Sequence, residues 1–148
     1  MFRHEGKGRT YIHNLRLASI LSFVAGLVNV TGILSVKVLT TNVTGHFAYF
    51  SEDLLNGNYQ IAIGYLFFIF SFLLGAFVSN ILIELFSRIN PQISYTFPIV
   101  TEIIILFVVG FFDSNSTLPN STGQLIACSL LFAMGLQNSL VTKVSHSV

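Results

Sequence analysis

From Ile61 to Ile83 the chain carries no Asp, Glu, Lys or Arg and is apolar at most positions. About 20 such residues are what an α-helix needs to cross the hydrocarbon core of a bilayer. Three more stretches are comparably apolar: residues 17–36, between Arg16 and Lys37; residues 95–112, ending before Asp113 and interrupted by one acid, Glu102; and residues 124–142, ending before Lys143. None alternates apolar and polar side chains, as the shorter strands of a membrane β-barrel do. The predicted fold is all-α: a single polytopic transmembrane helix bundle with four spans.

Composition agrees. Hydrophobic residues make up 53% of the 148 and charged residues 9%, with mean hydropathy +0.76. A soluble domain carries roughly 25% charged residues to cover its surface. The net charge of +1 excludes the basic surface that nucleic-acid binding needs. The expected partner is the lipid bilayer. Cys128 is the single cysteine, so it forms no internal disulfide, and its apolar neighbours mark it as a packing residue.

Charge placement orients the spans. Arg3, Lys7, Arg9 and Arg16 precede the first span, Arg88 follows the second and Lys143 follows the fourth. Lys and Arg near span ends favour the cytoplasmic side. The N-terminus is therefore expected inside. The loop around Asp113–Gly123 has no Lys or Arg and belongs outside, and its two Asn-x-Thr sites at Asn115 and Asn120 read as a polar turn. Lys37 is the one discordant charge.

The segment after the first span departs from the pattern. Thr40, Thr41, Asn42, Thr44, Gly45 and His46 form a polar, β-branched run, followed by an apolar stretch that predicts a short helix ended by Asn56, Gly57 and Asn58. Thr and Asn cap helices by accepting bonds from free N–H groups. Two readings fit: a broken or re-entrant element, which a membrane protein tolerates only under cover of protein or water, and an exterior loop with a surface helix.

A short repeat links the two ends. Phe23-Val24-Ala25-Gly26-Leu27-Val28-Asn29 shares its Phe-x-x-Gly-Leu-x-Asn spacing with Phe132-Ala133-Met134-Gly135-Leu136-Gln137-Asn138. With three spans per repeat, an odd number, the second copy would be inverted, as in many secondary transporters. Ala18, Ser22 and Gly26, and likewise Ser71, Gly75 and Ser79, place small residues on one helix face, which predicts close helix packing.

Gly26 to Gly32, then Thr40 to His46 with Gly135-Leu136-Gln137-Asn138-Ser139 and Glu102, together resemble the YoaK family of small multi-pass bacterial membrane proteins, a domain of unknown function. Where members of that family commonly carry Asp, this chain has Asn29. The resemblance implies about six spans and a second Thr-Thr-x-x-Thr-Gly after the fourth. On that reading the 148 residues are expected to be a fragment or a truncated product.

Glu102 is the sharpest candidate for chemistry, because a carboxylate inside an apolar span is expensive, roughly 2.5–3.5 kcal/mol on insertion scales. It reads as a proton- or cation-binding group, or as a protonated acid bonded to a neighbouring helix, with Asn29, Asn138 and His46 as candidate partners. Asn29 and Asn138 read as a symmetry-related pair of ligands, or as interhelical hydrogen-bonders. Thr40, Thr41, Asn42, Thr44, Gly45 and His46 read as a solute or ion site, or as helix capping. Hydrolase and nucleotide motifs are missing, and no cofactor or metal site is expected. The leading expectation is a non-enzymatic permease for a small solute or ion. The alternative is a non-transporting interaction or signalling protein of the membrane.

Overall fold

The structure is a computed structural model that describes residues 11–88, 94–113 and 120–146. The predicted anchors Arg3, Lys7 and Arg9 and the site at Asn115 lie outside the described residues. Five helices follow in order: α1 Tyr11–Val36, α2 Val43–Leu55, α3 Tyr59–Ser87, α4 Thr96–Asp113 and α5 Asn120–His146. No strand occurs among the described residues.

Three helices, α1, α3 and α5, are long and apolar enough to cross a bilayer. The third predicted span falls short of them. The apolar part of α4 is Thr96–Phe111, about 24 Å long at 1.5 Å per residue, against a hydrocarbon core of about 30 Å. It nevertheless runs beside α5 for most of that length, from Ile99 against Leu140 to Val109 against Ile126 and Leu130.

The central element is α5. Of its apolar window 61% is buried, against 11% for α1 and 22% for α3, so α1 and α3 present most of their surface outward. Side-chain layers give the helix directions. Val36 lies beside Gly123 and Leu21 packs on Leu140, so α1 and α5 are antiparallel. Phe68 packs on Ala127 and Ile83 on Leu140, so α3 and α5 are parallel. The two Phe-x-x-Gly-Leu-x-Asn copies therefore run in opposite directions. Arg16, Arg88 and Lys143 fall at the same end of the bundle.

Small residues decide how α3 meets α5. A Cβ on Gly75 would collide with the Phe132 carbonyl, and one on Gly135 would collide with the Phe72 carbonyl. The two backbones touch here, and Ser79, one turn further on, is fully buried. The predicted small-residue face of α3 is thus a packing face. The corresponding face of α1 is not. Ser22 and Gly26 are exposed, and a Cβ on Gly26 would meet nothing within 4 Å. Cys128 is half-buried beside Phe68, Ala127 and Leu131, in a packing role.

At the far end of α1 the chain reverses. Lys37 takes φ 59°, the left-handed conformation of a helix C-terminal cap. The Lys37 N–H donates to the Ile33 carbonyl and the Val38 N–H to the Gly32 carbonyl, both at 3.2 Å. Residues 38–40 then pass back over Gly32. A Cβ there would lie 2.6 Å from Thr40 Cγ2 and 2.8 Å from the Val38 carbonyl oxygen. Of the two readings of this segment, the fold adopts the one in which it returns toward the bundle.

Candidate functional site

The returning segment is fastened by one side chain. Asn29 Oδ1 accepts the backbone N–H of Thr40 at 2.8 Å, that of Thr41 at 3.3 Å and the Thr40 hydroxyl at 3.4 Å. Asn29 lies seven residues before the end of α1, about 10 Å back along the helix axis. Thr40 is fully buried. Backbone N–H groups buried at that depth need partners, and Asn29 supplies them. It is therefore a clamp on this chain's own backbone.

From this anchor the chain starts α2. Asn42 is the N-cap, and its Oδ1 accepts the Gly45 N–H at 3.0 Å and the Thr44 hydroxyl at 3.2 Å. The amide sits so close over Gly45 that a Cβ there would lie 2.5 Å from Asn42 Nδ2. Thr44 and Gly45 thus serve the cap. α2 then packs on α3, with the Tyr49 and Tyr65 rings stacked at 5.5 Å between centroids. The Asn58 amide donates to Asp53 Oδ1 at 3.0 Å and closes the turn between the two helices.

His46 is 4% exposed. Its Nε2 lies 2.7 Å from the Leu39 carbonyl oxygen, which can only accept, so Nε2 carries the proton. Nδ1 is then a bare acceptor, and it is buried with no hydrogen-bond partner among the described residues. The ring stacks on Tyr65 at 6.0 Å and meets Phe68 edge-on at 5.5 Å. Burial holds the imidazole below its ordinary value of 6.5, opposed in part by the Leu39 bond, which a protonated ring makes more strongly. Protonation therefore favours the unfolded chain. The stability that this group contributes is complete above pH 6.5 and is lost as the pH falls below it toward the folded-state value. Thermal unfolding of purified protein between about pH 8 and about pH 5 is expected to show an acid limb. That limb flattens in His46→Gln, and an identical limb in the variant would assign it to other groups.

Two clefts adjoin the segment. One, of about 550 Å³, lies between Lys37–Leu39, α2, the first turns of α3 and the start of α5, and His46 lines it. The other, of about 250 Å³, is lined by Thr41 together with Leu21, Ser22, Met134, Gln137 and Asn138. Gln137 is buried and donates from Nε2 to the Leu21 carbonyl at 3.1 Å, tying α5 to α1.

The predicted residues thus separate into groups. Asn29, Thr40 and Thr41 form one bonded set, and Asn42, Thr44 and Gly45 another. Thr41 and Asn138 share the smaller cleft. The repeat mates Asn29 and Asn138 have unlike surroundings, since Asn29 is engaged and Asn138 is exposed. Glu102 stands apart. It is 5% exposed on the face of α4 that carries Ile99 and Leu106 toward α5 and α1, and its Oε1 has no hydrogen-bond partner among the described residues. None of the expected partners Asn29, Asn138 and His46 bonds to it. Gln60, Tyr65, Phe68 and Gln124, to which the sequence drew no attention, line the larger cleft with Lys37, which stood out there only as a discordant charge. In sequence they are ordinary span-end and span residues, and only the return of the chain brings them together.

Among known proteins, residues 17–148 match the family described as "Protein of unknown function (DUF1275)". No curated protein and no solved structure matches the chain.

Proposed function

We propose that this chain, which belongs to the DUF1275 family of proteins of unknown function, is a permease-like membrane protein for a small solute or ion. The observation that carries this reading is the interrupted element after α1. Irregular backbone is stable inside a membrane bundle only where it is covered or lines a cavity, and transporters use such breaks to build sites at the interface of inverted repeats. Here the break is covered by Asn29 and flanked by two clefts, and the antiparallel helices α1 and α5 both line the smaller one, with Ala25 from the first repeat copy and Met134, Gln137 and Asn138 from the second. Glu102 adds a buried carboxylate on a neighbouring helix, a group that can take up and release a proton or bind a cation during the cycle. The protein sits in a bacterial inner membrane with its N-terminus in the cytoplasm, as the Arg and Lys residues at the Arg16 end favour.

Flux across proteoliposomes tests the reading. Wild-type protein is expected to move a solute or ion above the protein-free background. Glu102→Gln, which keeps the shape and removes the titrating group, is expected to return flux to that background. Undiminished flux in Glu102→Gln removes this residue from the mechanism. Wild-type protein that moves nothing across a panel of ions and small solutes contradicts transport.

A further inference from the structure

The larger cleft has a chemistry of its own. Its volume of about 550 Å³ is in the range of small-molecule sites, about 300–1,000 Å³. The cation Lys37 lies at its exposed rim, and Gln60 and Gln124 add amide donors. Among the described residues no carboxylate lines it. Asp53 and Glu52 are within electrostatic range of Tyr65 but outside the lining, and Asp53 is engaged by Asn58. The wall is aromatic, with Tyr65 and Phe68 about His46. His46 Nδ1 is the one buried acceptor of that wall left without a donor.

We infer that this cleft binds a small planar carboxylate that also carries a hydroxyl or N–H donor. The carboxylate meets Lys37 and the two amides at the rim. The planar body lies along the aromatic wall. The donor reaches His46 Nδ1, which a small rearrangement of the cleft exposes, and satisfies it. A buried acceptor without a donor carries a desolvation penalty, which the bound donor removes. A carboxylate of the same shape without the donor leaves that penalty in place, so the cleft discriminates between the two. This inference names a solute class for the proposed permease and rests on that reading for its role, but the binding itself does not require transport.

The probes are 4-hydroxybenzoate, which has the donor, and benzoate, which lacks it. Equilibrium dialysis against the whole chain in nanodiscs, with protein-free nanodiscs as the blank, is expected to show saturable 4-hydroxybenzoate binding. Benzoate is expected to bind about tenfold more weakly, the scale of one hydrogen bond. His46→Phe is expected to remove the difference between the probes, and His46→Gln, which restores an amide acceptor, to keep it. Lys37→Gln is expected to weaken both probes alike. No saturable binding to the folded wild-type protein overturns the inference. So does equal binding of the two probes, or a difference that survives in His46→Phe. Should His46→Phe fail to fold, the Lys37→Gln and wild-type comparisons still decide. Binding as expected without flux of any solute would uphold this site and remove the transport reading. Flux of other solutes with no binding here would do the reverse.

Discussion

Replacing Gly135 by leucine is expected to remove most of the folded protein, while the same replacement at Gly26 leaves it folded. The two glycines occupy the same position in the repeated Phe-x-x-Gly-Leu-x-Asn motif, yet their surroundings are opposite. Gly135 lies against the Phe72 carbonyl and the Ala76 N–H of α3, and Gly75 lies reciprocally against the backbone of α5. In a bilayer little hydrophobic force holds helices together, and close backbone contact between small residues is the main substitute. A leucine at Gly135 pushes apart the two helices that share the most buried face of the bundle. Overpacking a tight core usually costs about 1–3 kcal/mol, and a backbone-to-backbone contact has no side chain that can move aside. Gly26 has nothing within 4 Å of its missing Cβ, so Gly26→Leu adds an apolar side chain to an exposed face. Monodisperse yield and unfolding temperature in detergent check both. Equal loss in the two variants would contradict the packing described here.

The second large effect is expected at Asn29. One oxygen there accepts from Thr40 N–H, Thr41 N–H and the Thr40 hydroxyl. In Asn29→Leu the fully buried Thr40 N–H loses its partner, and an unsatisfied buried donor costs about 1–3 kcal/mol. The returning segment should detach, and with it the cap at Asn42 and the seat of His46. Asn29→Asp keeps an acceptor oxygen in the same place and should retain most of the stability. An Asp at this position suits the same clamp. Protease nicking between Lys37 and Asn42 is the readout, rapid in Asn29→Leu and slow in wild type and Asn29→Asp. Rapid nicking of Asn29→Asp alongside Asn29→Leu would show that the amide nitrogen matters, which the geometry does not support.

The helices could be read from the sequence because hydrocarbon leaves few alternatives. A long uncharged apolar run must satisfy its backbone internally, and a helix does so. The short helix α2 was also visible, since Asn42 at its start and Asn56 and Gly57 at its end are ordinary boundary residues. The extent of α4 is legible too: the helix Thr96–Asp113 follows the apolar run 95–112 to within a residue, although its apolar part, Thr96–Phe111, is shorter than α1, α3 and α5. Whether small residues pack was not visible. The spacings around Gly26 and Gly75 look alike, and only the neighbouring helix makes one of them a contact. The site divides in the same way. The polar run from Thr40 to His46 announced itself by composition. That Asn29 would hold it depends on the left-handed turn at Lys37, a conformation that a lysine does not advertise, and that Glu102 would lie elsewhere depends on how α4 packs on α5.

The segment after α1 returns into the bundle and faces α5. Thr41 and Asn138 line one cleft although they belong to distant parts of the chain, so Thr41→Cys with Asn138→Cys, in a Cys128→Ser background, tests it directly in native membranes. A short bifunctional thiol reagent should join the pair within one chain, while Leu55→Cys with Asn138→Cys should stay unjoined. If both thiols of the first pair react singly but never cross-link, the segment does not return and the account is wrong.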